Sequence, residues 1–241
     1  MDMLKERITS YWSKRADSFA DQRIRELESE KRDRWMCEFD RYLPEGKRLR
    51  ILDLGTGTGF FSFLLASKGH DVVGIDLTEE MIEKANETKK LLGIDADFYV
   101  MDAEDPDFEP ESFDAIVTRN LTWTLPELKN VYCKWYRLLK KGGVLINFDA
   151  DYARCLTTHQ DKWLPENHAH KNIPDEMMLE NNEITMEVGS HHKARPAWDE
   201  ELLGMAKFRD ISVDTGVWER IYAEVDEFYN PTPIFTVAAV K

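Results

Sequence analysis

The run Asp53-Leu54-Gly55-Thr56-Gly57-Thr58-Gly59 sets three glycines at alternate positions behind an acid. Glycine has no Cβ, so such a run can turn tightly and let a ligand lie against bare backbone. The apolar stretch Leu49-Arg50-Ile51-Leu52 precedes it, and Phe60-Phe61-Ser62-Phe63-Leu64-Leu65-Ala66 follows. That is a strand, a glycine turn and a helix start, whose first N–H groups lack helical partners and face the loop. The arrangement suits a nucleotide-like cofactor. Dinucleotide loops space their glycines G-x-G-x-x-G and place pyrophosphate on the helix N-terminus. Here the spacing is G-x-G-x-G. Asp53 would repel a pyrophosphate and suits a cationic ligand or an ammonium group.

Further acids follow in order. Asp71-Val72-Val73-Gly74-Ile75-Asp76 reads as a second strand closed by Asp76, with Leu77 next. Asp76 stands about 20 residues past Gly55, where a carboxylate can accept hydrogen bonds from both ribose hydroxyls. Phe98 to Glu104 reads as a third strand ending in Asp102, and Ser112 to Thr118 as a fourth, followed by Arg119-Asn120-Leu121-Thr122-Trp123.

This series resembles the class I S-adenosylmethionine (SAM)-dependent methyltransferases, closely over about residues 45 to 150 and loosely elsewhere. The resemblance implies SAM as cofactor. It assigns Asp53, Gly55, Thr56, Gly57 and Gly59 to the glycine loop, and Asp76 and Leu77 to the ribose. Asp102 and Ala103 would hold the adenine edge, and Asn120 and Leu121 the methionine part. It further implies that Tyr11-Trp12-Ser13-Lys14-Arg15-Ala16 folds over the cofactor. Tyr11 and Arg15, four apart on one helix face, would cover its carboxylate end.

Acceptor-side candidates come from the later loops. Trp123 can present an aromatic face to a sulfonium, or serve as a core residue at a helix start. The loop does not read Asn-Pro-Pro-Tyr, the sequence that orients an acceptor nitrogen in base- and glutamine-directed members of the family. Asn147-Phe148-Asp149-Ala150-Asp151-Tyr152 ends the fifth strand; Asp149 and Asp151 share a side if the strand continues. Five histidines, His159, His168, His170, His191 and His192, crowd a polar segment. Such crowding suits acid–base work, substrate contact or a metal; no Cys or Glu pattern completes a metal site, and none is expected. Asp149, His191 and His192 are the candidate bases. Trp123, Asp151, Tyr152 and His168 are the candidate substrate contacts.

The elements that must position these groups alternate. Two amphipathic helices are expected over 3–20 and 22–42. Strand 50–54, helix 59–69, strand 71–76, helix 78–92, strands 97–101 and 112–118, helix 125–140 and strand 143–149 follow. Alternation implies a parallel sheet with right-handed crossovers. After Ala150 the pattern breaks into an insertion with a possible helix at Asp175 to Glu187, then helix 198–207 and strands 208–213 and 234–240. The expected fold is α/β: a Rossmann-like, seven-stranded, mostly parallel sheet with an antiparallel last strand, as the resemblance supplies. The expected units are an N-terminal helical cap (1–44), a SAM-binding core (45–150), an insertion after strand 5 forming a lid over the acceptor (151–195), and a C-terminal completion of the sheet (196–241).

Composition sets the frame. The 241 residues carry 42% hydrophobic and 32% charged side chains, as a globular protein does. No run is long and apolar enough for a membrane span, and the N-terminus lacks an apolar secretory region. Three dispersed cysteines suggest neither disulfides nor zinc and suit a cytoplasmic location. A net charge of −14 argues against nucleic acid and anionic membranes as partners. The expectation is methyl transfer to a small-molecule acceptor. An NAD-dependent oxidoreductase and a non-catalytic SAM-binding protein are the alternatives.

Overall fold

The computed structural model describes residues 2–157, 164–168, 171, 173–188 and 193–241. Of the candidate residues, His159, His170, His191 and His192 lie outside them.

Among the described residues one seven-stranded sheet runs in the order β3-β2-β1-β4-β5-β7-β6. Its strands are β1 (Arg50–Leu54), β2 (Asp71–Asp76), β3 (Asp97–Val100), β4 (Phe113–Arg119), β5 (Leu139–Ala150), β6 (Arg209–Asp214) and β7 (Ile234–Val240). The pairs from β3 to β5 are parallel, and β7 runs antiparallel to both β5 and β6. The helices are α1 (Asp2–Leu27), α2 (Lys31–Asp40), α3 (Phe60–Ser67), α4 (Glu79–Leu92), α5 (Leu128–Leu138), α6 (Tyr152–Thr157), α7 (Asp175–Glu187), α8 (Ala197–Met205) and α9 (Val217–Ile221).

Central strands bury both faces, so neighbouring residues serve opposite layers. Ile51, Val117 and Phe148 pack with Trp35, Phe39 and Phe61 on one side. Leu52, Ile116 and Leu145 pack with Tyr132 and Trp135 on the other. Helix α5 shows why it forms where it does: Leu128, Val131, Tyr132, Trp135 and Leu138 make one buried stripe. Helix α4 begins with Glu79 and Glu80, favourable at a helix N-terminus, and ends at Gly93 in the left-handed conformation (φ 64°).

Three expectations shift. The N-terminal helix does not break near residue 21, where Ala20-Asp21-Gln22 offers no Gly or Pro; it runs to Leu27. The break falls at Glu28-Ser29-Glu30, and the Ser29 hydroxyl accepts a hydrogen bond from the Lys31 amide at 3.2 Å, starting α2. Helix α5 ends at Leu138, before Gly142-Gly143, because Leu139 already pairs with Phe113. Strand β5 is therefore longer than expected, with a register irregularity against β4 between Phe113 and Ala115. Helices α6 and α9 and the short 3-10 turn Thr122–Thr124 had no periodicity to announce them.

Candidate active site

In a parallel α/β sheet the ligand crevice opens beyond the strands' carboxyl ends, where the strand order reverses. Here the reversal lies between β1 and β4, and the loops after β1 to β4 converge there. They line a cavity of about 170 Å³ with Asp53, Gly55, Thr56, Gly57, Asp76, Leu77, Asp102, Ala103, Asn120 and Leu121. Helix α1 covers it with Lys5, Ile8, Trp12, Phe19 and Arg23.

The glycine loop is held by the acids around it. The Asp53 carboxylate accepts hydrogen bonds from the Thr56 and Ser62 hydroxyls, both at 2.7 Å. Asp76 accepts from the Gly57 amide and the Thr78 amide, both at 2.9 Å. Burial pushes the Asp53 carboxyl up to about 6, against the hydroxyls that favour its charge. Burial also raises Asp76 above the ordinary carboxylate value, opposed by its backbone donors. Low solvent access makes each uncompensated negative charge costly, so a cationic ligand would be favoured here. Asp102 is already engaged: Lys5 lies 2.6 Å from it and 2.9 Å from Glu104.

Gly55 and Gly57 adopt φ of 64° and 55°, and a Cβ on Gly55 would sit 2.8 Å from Leu121. Gly59 does not line the cavity. It precedes α3 at φ 91°, and its missing Cβ leaves room for the Phe63 and Phe98 rings.

A second cavity, about 440 Å³, adjoins the first; Trp12, Phe19, Arg23, Arg119 and Asn120 line both. Its other walls come from the segment after β5 and from the loop before β7. Trp123, Tyr152 and His168 line it, and so do Tyr11 and Arg15. Tyr11 and Arg15 thus line the second cavity rather than the first. Both project from the α1 face turned toward α7, where Tyr11 packs with Ile184 and Val188. Asn120 sits at the junction in the left-handed region (φ 56°), which asparagine tolerates better than most residues. Its carbonyl accepts from Trp123 Nε1 at 2.9 Å, and its side-chain oxygen from the Tyr152 hydroxyl at 3.0 Å. His168 is buried with Nε2 2.7 Å from the Tyr229 carbonyl, so that nitrogen carries the proton.

Asp149 and Asp151 line neither cavity. Asp149 is fully buried. It accepts from the Thr122 hydroxyl, the Trp123 amide at 3.0 Å and the Ala150 amide at 2.8 Å, and faces Arg195 at 3.4 Å. Burial raises its carboxyl, with Arg195 opposing. Arg195 in turn grips Asp199 at 2.8 and 2.6 Å and donates to Thr122. A carboxylate so enclosed holds the 3-10 turn and faces neither cavity. Strand β5 ends at Ala150, so Asp151 does not continue its alternation; it starts α6, accepting from the Arg154 amide at 3.2 Å.

Spacing within α1 carried a signal that motif reading passed over. Lys5, Ile8, Trp12, Phe19 and Arg23 recur at helical intervals and form the face over the first cavity. Arg119, Glu26 and Arg195 had no motif. Among the described residues, no group of three His, Cys, Asp or Glu could hold a metal ion, and no helix is long and apolar enough to cross a membrane.

Residues 45–225 match the family model described as a methyltransferase domain. Phosphatidylethanolamine N-methyltransferase of Cereibacter sphaeroides is 35% identical over 99 residues, 40% of this chain and 48% of that protein. Sterol 24-C-methyltransferase of Candida albicans is 33% identical over 130 residues, 53% of this chain and 33% of that one. The chain thus spans less than half the length of either relative. The PH0226 protein of Pyrococcus horikoshii superposes with a TM-score of 0.60 at 24% identity, over 92% of this chain and 91% of that one. The chain belongs to the methyltransferase domain family and has the class I, SAM-dependent methyltransferase fold.

Proposed function

We propose that this member of the methyltransferase domain family transfers a methyl group from SAM, held in the first cavity, to a small-molecule acceptor in the second. The observation that carries this reading is the junction: two cavities on one sheet edge share Trp12, Phe19, Arg23, Arg119 and Asn120. The residues present fit SAM. Asp76 would meet the ribose, and Gly55 and Gly57 leave the backbone bare at positive φ. Buried Asp53 and Asp76 favour the positive charge that the cofactor carries.

SAM supplies a methyl group on a sulfonium, already activated for in-line displacement. What remains for the protein is alignment and exclusion of water. Asn120, locked by Trp123 and Tyr152, fixes the backbone between the two cavities. Trp12 and Phe19 close the junction from above and meet edge-on at 5.5 Å. The segment after β5 supplies Leu156, His168, Asn181 and Thr185 to the acceptor side, in keeping with its reading as a lid. With Asp149 enclosed, His168 is the described imidazole lining the second cavity, and it keeps its proposed role as a substrate contact. His191 and His192 retain their proposed role as bases from the sequence alone.

The test is methyl transfer from methyl-labelled SAM into a fractionated pool of small metabolites. The expected result is label in one acceptor fraction with matching S-adenosylhomocysteine (SAH). Tight SAM binding with label in no fraction would leave the non-catalytic SAM-binding alternative standing instead.

A further inference from the structure

The two cavities differ in their charge balance. The first is bordered by Asp53, Asp76, Asp102 and Glu104 as well as by Lys5, Arg23 and Arg119. The described residues lining the second include Arg15, Arg23 and Arg119, and no carboxylate. That is unexpected in a chain of net charge −14. Arg23 and Arg119 share one carboxylate, Glu26, which is fully buried behind them and also accepts from Trp35 Nε1 at 3.2 Å. Arg119 additionally donates to the Tyr222 hydroxyl at 3.0 Å and stacks over Trp35.

Among the described residues, Arg15 has no such partner. It is 8% exposed, its Nε is buried without a hydrogen bond, and Tyr11, not a carboxylate, is the ionisable group acting on it. Burial pulls its guanidinium below the ordinary arginine value, only partly offset by Tyr11. A guanidinium left alone in a closed wall costs stability, and an anion seated against it removes that cost. Around it the wall is aromatic, with Tyr11, Trp12, Trp123, Tyr152 and Tyr229. Planar guanidinium forks match oxyanions in two-bond geometry, and aromatic rings bury an apolar body.

We infer that the acceptor is an anion: a carboxylate or phosphate group on an apolar or aromatic body, with Arg15 as the residue that receives the oxyanion. This rests on the proposed acceptor role of the second cavity and names the class of molecule it takes.

The test uses the full chain and simple probes at matched ionic strength, by thermal melting and calorimetry. Benzoate and phenyl phosphate are the anionic probes, with inorganic phosphate alone to separate the oxyanion from the body. Benzylamine and benzyl alcohol are the controls. The expected result is that benzoate or phenyl phosphate raises the melting temperature and benzylamine does not. Arg15→Met should weaken that anion binding about tenfold or more while SAM affinity stays unchanged. If Arg15→Met fails to fold, Arg15→Lys, which keeps charge and loses the fork, should still weaken the response. Equal stabilisation by benzylamine, no response to either aromatic anion, or an anion response unaffected by both variants would overturn the inference. Titration of the same samples with SAM reports separately on the cofactor reading, so the two can fail independently.

Discussion

Asp53 is the residue whose chemistry is most open to direct measurement. Its carboxyl sits at about 6, raised by burial from an ordinary 3.8. The folded protein therefore holds this proton more tightly than the unfolded chain. Ionising Asp53 costs stability: the cost is absent below about pH 4 and complete above about pH 6, on the order of 3 kcal/mol. Ligand-free stability should fall as pH rises through that window, and Asp53→Asn should flatten the profile in chemical denaturation. A cationic cofactor stabilises the charged form, so SAM affinity should move the other way, weakening as pH drops from about 7 to about 5. An Asp53→Asn variant with the same pH dependence of SAM affinity would remove Asp53 from the account. Gly57 tests the loop itself. At φ 55° its Cβ would lie 3.3 Å from Phe19, which roofs the cavity, and a side chain there is strained by about 1–2 kcal/mol. Gly57→Val should leave a folded protein by circular dichroism and lose SAM affinity. Normal affinity would reduce Gly57 to a turn residue.

At the scale of elements, the buried network of Asp149, Arg195, Asp199 and Thr122 ties β5 and α8 to the 3-10 turn that walls the second cavity. Replacing Arg195 with Met would leave two buried carboxylates facing each other without a cation. Loss of one partner from such a cluster costs about 3–5 kcal/mol. Denaturant unfolding should show that loss, and a variant as stable as the parent would mean that the network does not hold the turn. The strands and the helices α3, α4 and α7 were legible in the sequence because alternation, glycine stops and first-turn acids mark them locally. The role of Asp149 was not. Its position at a strand end matches a catalytic acid as well as a structural one, and only the distant Arg195 distinguishes them. The span of α1 was missed for a related reason. Ser29 starts α2 through one hydrogen bond, a weaker mark than Gly or Pro. For Tyr11 and Arg15, i and i+4 spacing gives a shared face, but which cavity that face meets depends on packing against α7.

For the molecule as a whole, the sheet edge brings a cavity bordered by four carboxylates beside one bordered by none among the described residues, and α1 lines both. The lining of the first cavity was legible because its residues lie at strand ends that one sheet topology gathers. The second cavity draws on α1, the segment after β5 and the loop before β7, which no local pattern connects. Everything proposed here depends on the first cavity taking SAM. Calorimetry of the full chain with SAM, SAH and NAD, repeated on Asp76→Ala, tests that most directly. The account predicts binding of SAM and SAH and none of NAD. It predicts weakening by about 1.5–3 kcal/mol in the variant, the range for hydrogen bonds to a charged group. NAD binding without SAM binding, or an Asp76→Ala variant with undiminished SAM affinity, would contradict it.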